Sequence, residues 1–205
     1  MHKRYGVALY RLLFAGIAAA AVTTQFVHSS AVLTFNAVNF FSFFTIQSNI
    51  LAGLVFLVAG IAGLAGKQGS QLALLRGAAT FYMTTTGIIY VLLLSGLEVS
   101  LQTTVPWVNA ALHYIMPIAV LSDWLVNRPK RRIIFKEAAL WLVFPVVYMS
   151  YSLVRGVFVD WYPYPFLDPR LHGYGQVAIG CSIIAVALVG IVWFLAWSTR
   201  WPTRK

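Results

Sequence analysis

Two short stretches carry side chains whose types and spacing could do chemistry. In FFSFFTIQSNIL (residues 40–51), Thr45 and Asn49 stand four apart and Ser42 lies three before Thr45, so one helix face would hold all three. In the second stretch, around ALHYIMPIAVLSDW (residues 111–124), Asn109, His113 and Pro117 recur at a spacing of four. A hydroxyl beside a neutral imidazole is the minimum for base-assisted nucleophilic attack. Each residue also has a bland reading. A threonine in an apolar helix bonds back to its own backbone, and a buried histidine can serve only to join two helices.

Both stretches lie in strongly apolar surroundings. The chain has 205 residues, of which 60% are hydrophobic and only 10% charged, with a mean hydropathy of +0.79. A soluble domain carries about 25% charged residues, so this one cannot coat a water-soluble globule. A spanning helix takes about 20 mainly apolar residues. Six segments qualify: 7–27, 41–65, 77–97, 106–126, 138–157 and 176–198. The expected fold class is all-α, a polytopic membrane protein of six transmembrane helices forming one domain over residues 1–205. Segment 29–40 (SSAVLTFNAVNF) is too short and mixed to span, and reads as an external connector or an interfacial helix. The start, MHKR and then an apolar run through four alanines, has the layout of a signal peptide. The apolar run continues past the alanines, so a retained first span is expected.

Charge orients the segments. The formal net charge is +10 and the isoelectric point about 10.1. Of the 15 Lys and Arg residues, all but Arg155 and Arg170 fall on one side if both termini are inside, Lys3, Arg204 and Lys205 among them. The positive-inside rule therefore gives N-in, C-in. Basic residues interleaved with spans write topology, and the absence of a basic stripe outside them argues against a nucleic-acid partner. Asp123, beside Trp124, is expected at the inner interface near Arg128.

In this arrangement both polar groups fall in the outer leaflet. Thr45 would lie about five residues into its span and His113 about seven past Pro106, depths of about 8 and 10 Å at about 1.5 Å per residue. Gln25 and His28 end the first segment, Tyr148, Tyr151, Ser152 and Arg155 end the fifth, and His172 and Gln176 precede the sixth. Polar groups thus gather at one end, as a cleft open to the outer side would require. Small residues (Ala15, Gly16 and Ala18 to Ala21; Gly53, Ala59, Gly60, Gly63 and Gly66) mark close helix packing. Trp107, Trp124, Trp161, Tyr162, Tyr164, Trp197 and Trp201 read as interfacial belt anchors.

The two stretches, followed by YPYPFLDP (residues 162–169), resemble the androgen-induced-gene family of multipass membrane proteins over about residues 5–195, with the short aromatic-proline motif of bacterial members. Animal members are known as threonine hydrolases that cleave fatty-acid esters of hydroxy fatty acids. The resemblance implies Thr45 as nucleophile and His113 as base. Asn49, Pro117 and Asp123 resemble recurrent family positions without assigned roles. Attack on an ester carbonyl creates an oxyanion that needs preorganised donors; Ser42, Asn49 and Asn109 are candidates, with Tyr151 a further substrate-binding candidate. No acidic residue lies near His113 in sequence, so a Thr/His dyad is the simpler expectation. YPYPFLDP is expected to cap the same cleft.

The expected function is therefore membrane-embedded lipid-ester hydrolysis in a bacterial inner membrane, with a membrane lipid or lipid ester as the partner. The alternatives are a small-solute transporter and a lipid- or cofactor-binding membrane protein without catalysis. Intramembrane acids are scarce and no internal repeat is evident, against the first. His28, His113 and His172 are the residues a haem would need under the second. No metal and no cofactor is expected: there is no CxxC or HExxH pattern, no Gly-rich phosphate loop, and Cys181 is the single cysteine.

Overall fold

The computed structural model describes residues 2–67, 69–98 and 104–201, and all side chains among them except those of residues 2, 3 and 172. Arg204 and Lys205, with the side chains of Lys3 and His172, lie outside this set. All regular structure among the described residues is helical. The elements are α1 (His2–Ser30), α2 (Ala37–Phe41), α3 (Phe44–Leu64), α4 (Ser70–Ile89), α5 (Pro106–Ala110), α6 (Met116–Val126), α7 (Phe135–Ala138), α8 (Val143–Val159) and α9 (Pro169–Ser198). A π turn, Tyr90–Leu94, extends α4, and another, Ala111–Ile115, joins α5 to α6. Short 3-10 turns cover Ala139–Leu142 and Pro165–Leu167.

Five helical stretches are long and apolar enough to cross a membrane: Arg4–Ser30, Phe44–Leu64, Ser70–Leu94, Phe135–Val159 and Gly173–Ser198. Their outward faces are apolar, as at Leu9, Leu13, Val154, Val157, Ile183 and Val186. The stretch Pro106–Val126 is helical throughout but more polar, since it carries Asn109, His113 and Asp123.

Helices α1 and α3 lie against each other through the small residues. A Cβ on Gly53 would sit 3.2 Å from Ala18 Cβ, one on Gly63 3.2 Å from Ala8 Cβ, and one on Gly60 2.7 Å from Leu12 Cγ. In a lipid setting such backbone approach, rather than water exclusion, holds helices together. A Cβ on Gly16 would meet nothing within 4 Å, so that position is not part of the close approach. On the other side of α4, Phe81, Tyr82, Trp124, Trp141, Leu188 and Leu195 form a buried cluster joining α4, α6 and α9.

Three expectations are corrected. Trp124 is not a belt anchor: it is fully buried and donates Nε1–H to Ser198 Oγ at 2.9 Å. Asp123, expected at the inner interface near Arg128, does not face outward there. It is buried and takes Arg11 Nε at 3.1 Å and Arg76 Nη2 at 2.6 Å, tying α6 to α1 and α4. Arg11 and Arg76 are therefore interior partners of a carboxylate and not only topology markers.

The segment expected to start at 41 breaks instead. Phe41 ends α2, whose start Asn36 caps by accepting from the N–H groups of Val38 and Asn39. Helix α3 then begins at Phe44. The Ser42 carbonyl, which a continuous helix would use internally, accepts Tyr148 O–H at 2.9 Å instead.

Candidate active site

The break puts Thr45 in the first turn of α3, not five residues in. The leading N–H groups of a helix have no partner within it and carry the positive end of its dipole. Phe43, the residue before α3, supplies no side-chain cap. The Thr45 N–H donates to the Tyr164 hydroxyl oxygen at 3.3 Å. Thr45 and Tyr164 are both buried, and the Thr45 side chain is close enough to the Tyr164 hydroxyl to favour its ionised form. Burial outweighs this and pushes the Tyr164 hydroxyl above its ordinary range, so it stays protonated at neutral pH.

Thr45 and His113 line one buried cavity with Gln25, Ser29, Phe40, Leu94 and Tyr164. Its volume is about 20 Å³, room for roughly one water molecule. A second, apolar cavity of about 60 Å³ shares Thr45, Leu94 and Tyr164 with the first and runs along Met149, Phe166, Ile184 and Leu188. Thr45 therefore stands between the two cavities, with His113 on the side of the first.

His113 sits in the π turn, a geometry frequent at functional sites. Its orientation follows from a chain of hydrogen bonds that starts at a carboxylate. Glu98 Oε1 accepts the Tyr90 hydroxyl at 2.9 Å, so the Tyr90 oxygen is left to accept, and it takes Asn109 Nδ2 at 2.8 Å. This directs Asn109 Oδ1 at His113 Nδ1, 2.7 Å away, with the Asn109 backbone carbonyl at 3.2 Å from the same atom. Both facing atoms are acceptors, so Nδ1 carries the proton and Nε2 presents a lone pair. The Tyr90 ring stacks on the imidazole, centroids 3.9 Å apart at 17°. Glu98 anchors the chain as an anion: its own backbone N–H, that of Gly96 and the Tyr90 hydroxyl hold it below the usual carboxylate range.

The remaining expected residues take other positions. Asn109 orients the histidine and is not placed as an oxyanion donor. Asn49 spends its amide on the carbonyls of Thr45, at 2.9 Å, and Leu112, at 3.2 Å, tying α3 to the π turn. Ser42 donates to Val38 O at 2.7 Å and meets the Tyr151 hydroxyl at 3.1 Å. Neither Ser42 nor Tyr151 is among the residues lining the two cavities. Pro117 packs its ring where a Cβ on Gly87 would fall, joining α6 to α4.

Tyr164, expected as a belt anchor, is the missed site residue. YPYPFLDP folds inward against the start of α3: Tyr164 and Leu167 are buried, and Phe166 stacks on Tyr164 at 5.3 Å. Asp168 closes the loop by capping α9 through Arg170 N at 2.9 Å, with Pro169 in the first turn. Arg170 locks it further, through Asp168 Oδ2 at 2.6 Å and Asp160 Oδ1 at 2.5 Å. The sequence signal available was the aromatic-proline motif itself, which says that the loop is stiff but not which ring turns inward.

Of the three histidines considered for a haem, His28 is exposed and bonds Thr104 Oγ1 at 3.2 Å, and the His113 cavity is far smaller than a macrocycle. Among the described residues no group of three His, Cys, Asp or Glu side chains is placed to hold a metal ion. Comparisons with protein-family models, curated proteins and solved structures each return no match.

Proposed function

We propose that this protein is a membrane-embedded lipid-ester hydrolase with Thr45 as nucleophile and His113 as general base. The observation that carries the reading is the shared cavity of Thr45 and His113, with the imidazole proton pinned to Nδ1 by Asn109. In the proposed cycle His113 Nε2 takes the Thr45 hydroxyl proton as Oγ1 attacks the ester carbonyl. The oxyanion is stabilised by the Tyr164 hydroxyl and the first-turn N–H groups of α3. The imidazolium then protonates the leaving alkoxide. Water, activated by the same imidazole, releases the acid from Thr45. The apolar cavity toward α8 and α9 suits an acyl chain. Because Thr45, Leu94 and Tyr164 separate the two cavities, movement of Leu94 or Tyr164 would merge them around a substrate.

The same proposal places Pro106–Val126 as a sixth span, both termini in the cytoplasm and the site toward the outer face of a bacterial inner membrane. The resemblance of residues 40–51, 111–124 and 162–169 to the threonine-hydrolase family supports the ester chemistry independently of the cavity.

The test is hydrolysis of a branched fatty-acid ester and a p-nitrophenyl ester by detergent-purified protein. Thr45→Ala and His113→Ala should each abolish most turnover, and the double variant should be little worse than either, because a nucleophile–base unit fails as a whole. Full activity in Thr45→Ala, or no hydrolysis by wild type across a broad ester panel, would sink the reading.

A further inference from the structure

The end of the molecule opposite Thr45 contains a larger cavity, of about 610 Å³. Along α3, 14 residues from Thr45 to Ala59 separate the two, about 21 Å at about 1.5 Å per residue. Four cations of its wall come from the helices and the turn between them: Arg4 and Arg11 from α1, Lys67 from the α3–α4 turn and Arg76 from α4. The loop after α6 adds Arg128, Lys130 and Arg131. No carboxylate lines it among the described residues. Asp123 lies beneath the wall and compensates Arg11 and Arg76 with a single charge. Glu137 takes Arg131 Nη1 at 2.9 Å, yet Arg131 Nε remains buried without a hydrogen-bond partner. The wall thus keeps a large positive excess.

A backbone feature adds to it. Gly69 and Ser70, at the start of the 20-residue α4, are part of the same wall, and Gly69, the residue before the helix, has no side chain with which to cap it. The leading N–H groups of a helix have no partner within it, so they and the positive end of the dipole add to the field of the cavity. Topology signals alone require only that cations lie near the inner ends of spans. They do not require cations from separate elements to converge on one concavity over an open helix start.

We infer that this vestibule binds an anion bearing a phosphate group, delivered either as an anionic phospholipid headgroup or as a free phosphate compound. Guanidinium and ammonium donors converging from several directions match the oxygens of such a group. The Lys67 and Lys130 ammoniums complete the grip from the rim, and Arg11 and Arg76, fixed by Asp123, form its floor.

The experiment is thermal unfolding of the full chain in uncharged detergent at constant ionic strength. One arm titrates inorganic phosphate against chloride. The other titrates short-chain phosphatidylglycerol against short-chain phosphatidylcholine. A saturable upward shift with phosphate identifies a soluble ligand, and one with phosphatidylglycerol alone identifies a headgroup. In either case the double variant Lys67→Gln/Lys130→Gln should weaken the apparent Kd by about tenfold or more. Arg132→Gln/Lys136→Gln, which removes the same charge from exposed side chains outside the cavity, should bind as wild type does. The inference is overturned if neither probe gives a saturable shift, if the vestibule variant binds as tightly as wild type, or if both double variants lose affinity equally.

Discussion

His113 is oriented by groups that are themselves oriented, back to the carboxylate of Glu98. That chain predicts a particular failure. Asn109→Ala should leave the protein folded but free the imidazole to change tautomer, lowering kcat on the order of 10²–10⁴-fold with a smaller effect on KM; steady-state kinetics on the p-nitrophenyl ester measures it. Tyr164→Phe keeps the ring and its stacking on Phe166 but removes the hydroxyl. Its expected cost is about 10²–10³ in kcat, the scale of one lost oxyanion donor. An unchanged kcat would remove Tyr164 from the reaction and leave it a packing residue. At this scale the sequence was partly legible. Thr45 and His113 stand in recognisable stretches, whereas the roles of Asn109 and Tyr164 depend on hydrogen bonds to residues 19 and 119 positions away. No local pattern encodes such pairings.

At the scale of elements, the break before α3 and the π turn before α6 decide where the two key side chains stand. Neither is written in hydropathy, because Phe41, Phe43 and Phe44 read as one continuous apolar run. The break depends on Tyr148 of α8 taking the Ser42 carbonyl. The existence of five of the six expected spans, by contrast, followed directly from apolar length, although α4 begins at Ser70 and not at 77. Small-residue contacts give the element-level prediction. A Cβ on Gly77 would fall within the ring of Trp141, which is itself buried. Gly77→Ala should therefore destabilise the α4 contact by about 1–3 kcal/mol, the usual cost of overpacking. Gly180→Ala, where nothing lies within 4 Å, should melt within error of wild type. Equal melting of both variants would contradict the packing described for α4.

Across the whole molecule, one buried carboxylate joins α1, α4 and α6, and it lies at the opposite end of the helices from the candidate active site. Asp123→Asn leaves two buried guanidiniums without a counter-charge and should cost about 3–5 kcal/mol. Replacing the group together, Arg11→Met/Arg76→Met/Asp123→Leu, should recover much of that loss, since an apolar core of similar volume carries no desolvation cost. Denaturant or thermal unfolding in detergent compares the two. A triple variant no more stable than the single one would mean that the arginines do more than neutralise Asp123. This joint was hidden in the sequence because Arg11 and Arg76 also satisfy the charge bias of membrane topology, and a linear reading cannot separate the two uses.

The claim that the molecule acts as a threonine hydrolase is tested most directly by covalent capture. Purified protein is treated with a lipophilic fluorophosphonate, and the modified residue is mapped by peptide mass spectrometry in wild type, Thr45→Ala and His113→Ala. The account predicts one stoichiometric adduct on Thr45 Oγ1, absent from Thr45→Ala and strongly slowed in His113→Ala. Labelling that persists unchanged in Thr45→Ala, or an adduct mapped only to another residue, would contradict it.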